Sequence, residues 1–548
     1  MGVKVGGQRQ PKEDVTRLVE EAEKVNITQM NEEGLKKLLG SLSAKYKRNM
    51  DLRTKYRSMP EKFADSEADL DAELKNVQMI TAYPDLLLSF VGYRGVELLM
   101  DVLSHENTDI CINVINIFSE LTEGDVILAH KDNIQFVEYM MSKGVPLLLI
   151  DTIARLSTGR DEDLAAIYNI LSTLQNITDY KPEMCDFYFA QSKLMKWLTE
   201  CIVSEADKEL TETRVCACEL YSIIVQRSKD AQQKVGKSQE LVDIMKEINR
   251  RCSGGEYEYN EDYVENLFNV VCGCLLLPEN KDFFRECEGV ELMLKLMKCG
   301  LKNRRCALKA LDFALAGNPA NCKVFIGALG LSYVFSMFMR KGYSSKTGKE
   351  KVSESEQRKD EEHCMSILSS LLKYCGSVDK DRLVFKFREN SGEKLQRLAE
   401  LYSLYVDSYE KYLDHMRETQ EGEKENVYLE ELGNGIFTFQ LIAIVLGCLI
   451  TSKDAAVLEI LNKIVQTRRI RMEMVVSAVT EYIDHIDKTE GEKEREELGS
   501  MLAEVKGMIK MQDPKENGKP EPEKKAETET ATATEAKKEE ADKNNVAK

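Results

Sequence analysis

Apolar and polar positions recur along this chain in a four-residue phrase that lies within stretches of helical period. The phrase Asn116-Ile-Phe-Ser returns as Asn169-Ile-Leu-Ser and, more loosely, at four other places. The six copies start at Asn116, Asn169, Glu219, Asn266, Asp312 and Ser366. The starts lie 53, 50, 47, 46 and 54 residues apart. This near-constant spacing predicts a series of structural repeats.

A second phrase, which begins with glycine, opens an apolar helix ahead of four of these copies. Its four copies are Gly95-Val-Glu-Leu-Leu, Gly144-Val-Pro-Leu-Leu, Gly289-Val-Glu-Leu-Met and Gly330-Leu-Ser-Tyr-Val. Each repeat therefore contains at least two helices, which cannot bury their apolar faces alone and must stack on neighbouring repeats. The spacing is slightly longer than the roughly 40–47 residues of armadillo and HEAT repeats. We predict an all-α, armadillo/HEAT-type α-solenoid.

The pattern divides the chain into five regions. They are a polar N-terminal segment (1–34), a helical N-terminal cap (35–92), armadillo-like repeats (93–390) with a mobile polar loop (340–362), a C-terminal helical region (391–512) and a disordered low-complexity tail (513–548). Within the first segment, Val15–Val25 is a short helix candidate and Thr28 a candidate cap for the next helix. Proline at positions 60 and 84 predicts turns within the cap.

The C-terminal region reads as one amphipathic helix followed by two further helical pieces. The first helix is expected over Glu393–Glu418, where four tyrosines follow the helical period and are interpreted as core residues. Val427–Ile450 and Ala455–Met511 are the two further pieces. The apolar run Ile436–Ile450 is too short to span a bilayer and predicts a buried helix.

Charge and cysteine usage favour an intracellular protein with basic partners. The net charge of -18 disfavours nucleic-acid binding, and no membrane interaction is expected. Several of the 15 cysteines lie on apolar helical faces, where a free thiol acts as a small hydrophobe. These are Cys111, Cys216, Cys272, Cys306 and Cys364. Because metal-ligand spacings and a signal sequence are missing, we expect a soluble chain with free cysteines in a reducing compartment, and no metal or cofactor.

No motif of a known catalytic chemistry is present. The phosphate-binding loop G-x-x-x-x-G-K-[ST], the G-x-S-x-G elbow and H-E-x-x-H do not occur. The short segment Gly327–Gly330 lacks the spacing of a dinucleotide loop and is better explained as a turn between helices. We therefore expect no catalytic residues and no enzymatic activity.

A row of polar residues on successive repeats forms the candidate binding site. Asp109, Asn113, Asn116 and Glu120 share one helical face, and Glu123 follows them. Asn169, Thr173 and Asn176 occupy matching places in the next repeat. Such side chains can bind a peptide backbone and its Lys or Arg residues, although they could instead only cap or solvate the helices. An importin-type tryptophan ladder is excluded because Trp197 is the only tryptophan, and we expect it to pack in the core.

Several longer segments closely resemble the beta-catenin-like protein 1 family. They begin at Asn49 (Asn-Met-Asp-Leu-Arg-Thr-Lys-Tyr), Pro60 (Pro-Glu-Lys-Phe-Ala-Asp-Ser), His105 (His-Glu-Asn-Thr-Asp), Lys181 (Lys-Pro-Glu-Met-Cys), Ala307 (Ala-Leu-Lys-Ala-Leu-Asp) and Glu361 (Glu-Glu-His-Cys-Met-Ser-Ile-Leu). The segments run in order through about residues 35–510, so the resemblance covers most of the chain.

The resemblance implies a nuclear armadillo-repeat scaffold of pre-mRNA splicing. It further implies association with the nineteen complex and recognition of basic, nuclear-localisation-like segments, notably of a Myb-related Cdc-five-like splicing factor. A homodimer is compatible with the sequence. Lys4, Arg9 and Lys12 are scattered, so this chain lacks the N-terminal basic cluster of such a family and has no clear import signal. The alternative is a cytoplasmic or nuclear transport adaptor, or a co-chaperone solenoid, for basic client proteins.

Overall fold

The described part of the chain, residues 30–204, 208–341, 343, 352–488 and 491–512 of a computed structural model, contains helices and no strands. This confirms the all-α prediction. The helix candidate Val15–Val25, Thr28 and the tail 513–548 lie outside the described residues. The first described helix is capped by Asn31, whose side chain accepts a hydrogen bond from the backbone N–H of Gly34 at 2.8 Å.

The N-terminal region consists of two long helices followed by short turns. The helices are α1 (Glu32–Lys55) and α2 (Ala64–Gln78). Both predicted proline breaks are confirmed, because Pro60 and Pro84 each begin a single 3₁₀ turn. The apolar stripe of α1 packs on α2 through the fully buried Leu35, Leu42 and Leu70.

The central region repeats a unit of three helices: a short helix, an outer helix and a long helix. In chain order the helices are α3 (Leu87–Gly92), α4 (Gly95–Leu103), α5 (Thr108–Leu121), α6 (Gly124–Ile127), α7 (Ile134–Lys143), α8 (Val145–Ile153), α9 (Asp161–Tyr180), α10 (Met184–Ala190), α11 (Ser192–Val203), α12 (Glu212–Arg227), α13 (Lys229–Val235), α14 (Gln239–Cys252), α15 (Glu261–Cys274), α16 (Pro278–Glu286), α17 (Gly289–Leu296), α18 (Leu301–Leu315), α19 (Pro319–Gly327), α20 (Gly330–Phe338) and α21 (Glu354–Tyr374).

The long helices stack directly on one another, and we call them the ladder helices: α2, α5, α9, α12, α15, α18, α21 and a C-terminal member, α24 (Phe437–Ile450). Each of the six recurring phrases lies within one of them, from α5 to α21. The ladder helices contact one another more extensively than the outer helices α11, α14 and α17 do. The ladder helices therefore form the main contact between successive repeats, as stacked repeats do in an α-solenoid.

The recurring glycines mark a tight corner between the short and outer helices. At Gly95 a β-carbon would lie 2.4 Å from the ring of Phe90, so only glycine lets the outer helix start directly against that ring. The pairs Phe284/Gly289 and Phe325/Gly330 repeat this contact. Gly144 is needed for a different reason. It has a left-handed backbone conformation, with a φ of 79°, in the turn before α8. The prediction that these glycines open helices is confirmed.

The last nine residues of the predicted loop 340–362 are helical, which corrects the prediction for that part, while residues 342 and 344–351 lie outside the described residues. Ser353 and Glu356 form a reciprocal capping box that starts α21 at Glu354. Glu361, 2% exposed, accepts hydrogen bonds from Arg340 and Arg397 at 2.5 Å. The dense charges that suggested a solvated loop are therefore partly the ion-paired first turns of a ladder helix.

The C-terminal region contains more helices than predicted. They are α22 (Ser377–Glu418), α23 (Lys424–Glu431), α24, α25 (Ala455–Arg468), α26 (Met472–His485) and α27 (Glu492–Gln512). The piece predicted over Ala455–Met511 is thus three helices, broken first at Arg469, which has a φ of 52°. Helix α22 kinks over residues 389–392, so its second half matches the predicted Glu393–Glu418.

Helix α24 is an interior helix, as its apolar run predicted. It packs against α21, α22, α26 and α27, and nearly all of its side chains are buried. By length and composition, the stretch Lys424–Ile450 could cross a membrane, but 67% of its most apolar window is buried inside the protein. The predicted tyrosine core is confirmed, since Tyr402, Tyr405, Tyr409 and Tyr412 are at most 4% exposed.

Most of the cysteines are buried thiols within this core. All 15 are free, and of the five singled out from the sequence only Cys306 is half-buried. Burial raises the pKa of the Cys216 and Cys272 thiols to about 12, which leaves them uncharged at neutral pH. Trp197 is partly buried: it packs against the core, as predicted, and also lines a surface cavity of about 410 Å³.

Candidate peptide-binding groove

The predicted polar row lies on the ladder side, where its members mostly bind residues of neighbouring helices. Asn113 donates to Asp71 of α2 at 2.6 Å, and Gln78 of α2 donates to Glu120. Asn169 of α9 donates to Asn116 of α5 at 2.9 Å. These contacts were not foreseen: the side chains neither simply cap nor solvate their own helices, but join one repeat to the next.

The remaining predicted residues differ in their exposure. Asp109 lies in the exposed first turn of α5 and pairs with Arg160 at 3.1 Å. Glu123 is exposed just beyond α5. Asn176 donates to the hydroxyl of Thr122 at 3.3 Å.

Thr173 does not belong on the groove surface. It is 0% exposed, and its hydroxyl donates to the backbone oxygen of Asn169 at 2.7 Å. The one-turn spacing from Asn169 suggested a shared face. The adjacent ladder helices cover that position, however, so Thr173 packs in the junction and cannot reach a ligand.

Polar contacts of this kind continue along the whole ladder. Gln175 donates to the backbone oxygen of Cys216, and Ser222 of α12 donates to Asn266 of α15, both at 3.2 Å. Farther along, Lys309 donates to Asn269 at 3.0 Å. Within the described residues, Asn116, Asn169 and Asn266 each keep one amide atom without a hydrogen-bond partner. Such half-buried amide atoms can bind the backbone of an extended peptide.

Exposed carboxylates accompany these amides from α5 to α15. Glu219 and Glu265 are exposed on α12 and α15. In the described ranges neither they nor Glu123 form an ion pair. Burial, together with the nearby Glu120 and Asp125, raises the pKa of Glu123, which indicates a locally negative potential. This part of the groove therefore offers unneutralised negative charge to a cationic side chain.

An exposed tyrosine lies beside two of the groove carboxylates. Tyr168 of α9 is 39% exposed, and partial burial followed by Cys216, Glu212 and Glu219 raises its pKa. The hydroxyl therefore stays neutral, and its electrostatic coupling to Glu212 and Glu219 shows that two carboxylates lie near it. An aromatic ring with carboxylates nearby suits an ammonium or guanidinium group.

The far end of the ladder, from α18 to α24, has a different charge arrangement. Helix α18 carries four basic residues against one acid, Asp312, and its bases bind groups on the neighbouring helices. Arg305 donates to both carboxylate oxygens of Asp360 at 2.9 Å, and Lys302 pairs with Glu261. His363 contacts Asp312 at 2.9 Å. The charges of α18 are therefore largely paired with groups on neighbouring helices.

Sequence reasoning missed Tyr168, Glu212, Glu219 and Glu265. The repeat phrase already pointed to Glu219, which occupies the place of Asn116 and Asn169, and to Asn266, which adjoins Glu265. The contacts between repeats give no local signal, because their partners lie about 40 to 55 residues apart in the chain. Among the described residues no group of three or more His, Cys, Asp or Glu is arranged to hold a metal ion.

The three-helix units, the stacked ladder and its polar face together define an armadillo-type repeat protein, a class that works through protein contacts. Residues 13–480 match the family described as "Catenin-beta-like, Arm-motif containing nuclear". The chain belongs to this family, which confirms the resemblance seen in the sequence.

Relatives of this chain include proteins named Beta-catenin-like protein 1 in mammals and yeast. Those of Mus musculus and Homo sapiens are each 28% identical over 477 residues, covering 83% of this chain and 82% of the relative. The Beta-catenin-like protein 1 homolog of Schizosaccharomyces pombe is 28% identical over 475 residues, covering 84% of this chain and 80% of that protein.

Proposed function

We propose that this protein is a nuclear, non-catalytic scaffold of the pre-mRNA splicing machinery that binds basic, nuclear-localisation-like segments of partner proteins. The binding surface is the groove from α5 to α15. Its partners include a Myb-related Cdc-five-like splicing factor and other components of the nineteen complex. Direct contact with nucleic acid is not part of this function.

The observation that carries the proposal is a set of three exposed carboxylates, Glu123, Glu219 and Glu265, which form no ion pair in the described structure. They belong to the same run of ladder helices, α5 to α15, as Asn116, Asn169 and Asn266, whose amides each keep one atom without a partner. A basic segment would place Lys or Arg side chains against the carboxylates. Its backbone would meet the amide atoms of Asn116, Asn169 and Asn266. Both the side chains and the backbone of an extended basic peptide thus find complementary groups on one surface.

Neutralising the carboxylates isosterically tests the groove. The probe is a fluorescein-labelled decapeptide of lysine, arginine and glycine, titrated by fluorescence polarisation at low salt. We expect Glu219→Gln with Glu265→Gln to weaken binding about tenfold. A control pair, Asp230→Asn with Glu286→Gln, removes the same charge from exposed positions on short helices off the ladder, and is expected to change affinity less than twofold. Equal losses in the two pairs would attribute binding to net charge and exclude the groove.

Purification of the tagged protein from nuclear and cytoplasmic extracts tests the biological assignment. Splicing factors recovered with the wild type, and depleted with the Glu219→Gln/Glu265→Gln variant, would support the scaffold. Transport receptors or chaperones recovered in their place would favour the adaptor for basic clients.

A further inference from the structure

A polar cavity lies at the C-terminal end of the ladder, away from the acidic groove. Its walls come from the first turns of α21, the second half of α22 and the π-turn Leu432–Ile436 that leads into α24. Its volume is about 440 Å³, enough for a few residues of peptide. Its lining includes Glu354, Arg358, Lys359, Glu362, Tyr405 and Thr438.

The hydroxyl of Tyr405 is the unusual group in this cavity. Tyr405 is 4% exposed, and its buried hydroxyl has no hydrogen-bond partner in the described structure. A buried polar group without a partner costs about 1–3 kcal/mol, so its retention calls for an explanation. Burial, with Glu361 nearby, raises the pKa of Tyr405 to about 12. The hydroxyl is therefore protonated at neutral pH and available as a donor.

The π-turn holds the cavity open beside this tyrosine. Gly435 has a φ of 102°, and a β-carbon there would lie 2.9 Å from the Tyr405 ring. The turn backbone can therefore lie flat on the ring only because the residue is glycine. Single π-turns within helices often occur at functional sites.

Besides Tyr405, the cavity has a second donor that is free to bind a ligand. Lys359 is exposed and has no ion pair within the described ranges, so its ammonium group is available. The acids, by contrast, are engaged: Glu354 pairs with Arg358 at 2.7 Å, and Glu362 accepts from Thr438 at 2.8 Å. A ligand that supplies acceptor oxygens would therefore complete the hydrogen bonding of Tyr405 and Lys359.

We propose that this cavity is a second binding site, which takes a carboxylate of an acidic peptide segment of a partner. One carboxylate oxygen would accept from Tyr405 and Lys359, and the flanking backbone would cover the glycine-rich π-turn. A carboxylate fits better than a phosphate because Glu354 and Glu362 in the walls would repel a dianion more strongly than a single negative charge. The scaffold would then hold a basic segment at one end of its ladder and an acidic segment at the other.

Fluorescence polarisation with labelled peptides tests the proposal on the full-length protein. The probe is a hexapeptide of alternating glycine and glutamate, compared with versions carrying glutamine, phosphoserine or lysine in place of glutamate. Amidated and free C-termini distinguish a side-chain carboxylate from a terminal one. We expect the glutamate peptide to bind at least tenfold more tightly than the glutamine and lysine peptides, and more tightly than the phosphoserine peptide.

Two variants locate that binding in the cavity. Tyr405→Phe removes only the unpartnered hydroxyl, so it should weaken binding of the glutamate peptide at least fivefold without lowering the thermal midpoint of unfolding. Lys359→Ala should weaken it similarly, whereas the control Lys229→Ala, at an exposed lysine on α13, should not. Equal binding of the glutamine peptide, stronger binding of the phosphoserine peptide, or glutamate binding that survives both variants would each overturn the proposal. Since the basic decapeptide binds elsewhere, its affinity should be the same in Tyr405→Phe.

Discussion

The two ends of the ladder join their repeats by different interactions. From α5 to α15 the junctions are mostly neutral, formed by pairs such as Asn116 with Asn169 and Ser222 with Asn266. From α18 to α21 they are mostly charged, as between Arg305 and Asp360. The neutral junctions leave exposed carboxylates free, while the charged junctions use their acids to neutralise bases on α18.

This difference separates structural charge from functional charge within one fold. A carboxylate that is 3% exposed and held by a guanidinium, as in Asp360, stabilises a junction and is not available to a partner. A carboxylate such as Glu219, exposed and outside any ion pair in the described structure, contributes little to stability and is free to attract a cation. Variants at the two ends should therefore affect different measurements.

Breaking a charged junction should have the largest effect, and it should fall on stability. Arg305→Met leaves Asp360 buried without its cation, which we expect to cost about 3 kcal/mol. Asn169→Ala removes one half-buried amide contact and should cost about 1 kcal/mol. Hydrogen exchange of the amides in α21 and α9, respectively, measures the two losses locally. Equal losses would remove the distinction between the two kinds of junction.

Reversing charge in the acidic half should have the next largest effect, and it should fall on binding. Replacing Glu123, Glu219 and Glu265 together with lysine should lower the affinity for the basic decapeptide about 100-fold at low salt. This effect should diminish as salt screens the charges. A control variant of the same net charge replaces three exposed residues off the ladder with lysine: Glu183, Asp230 and Glu286. If the control loses as much affinity as the triple variant, the groove has no special role.

Acid should weaken the start of α21 through Glu356. Hydrogen bonds from the Ser353 side chain and backbone, followed by Arg305, lower the pKa of Glu356 to about 2 from 4.5. A lowered pKa contributes stability that is present above pH 4.5 and is lost as the pH falls toward 2. Thermal unfolding at a series of pH values should therefore give the wild type a higher midpoint than Glu356→Gln at neutral pH. The difference in midpoint should shrink below pH 4.5. A difference independent of pH would contradict this role.

The smallest effect is expected at Thr173. Because the side chain is buried in the junction, Thr173→Val should change affinity for the basic decapeptide less than twofold. A tenfold loss of affinity would return Thr173 to the binding surface and contradict its burial between the ladder helices.

The sequence period located six of the ladder helices, α5 to α21, because each recurring phrase supplies buried apolar side chains within one of them. Thr173 was misplaced because helical spacing alone does not show how deeply the neighbouring helix covers a face. Residues 354–362 were read as loop because they are rich in charge, and their partners Arg305 and Arg397 lie outside the predicted loop. The break at Arg469 was missed because a left-handed conformation is unusual for residues other than glycine.

The central claim is that basic segments bind the half of the ladder with neutral junctions. Photo-crosslinking tests it most directly: the basic decapeptide carries a benzophenone group, and the labelled positions are identified by mass spectrometry after proteolysis. We predict labels on α5, α9, α12 and α15, concentrated near Tyr168, Glu219 and Glu265. Labels concentrated on α18, α21 and α24, or on the outer helices, would contradict the account.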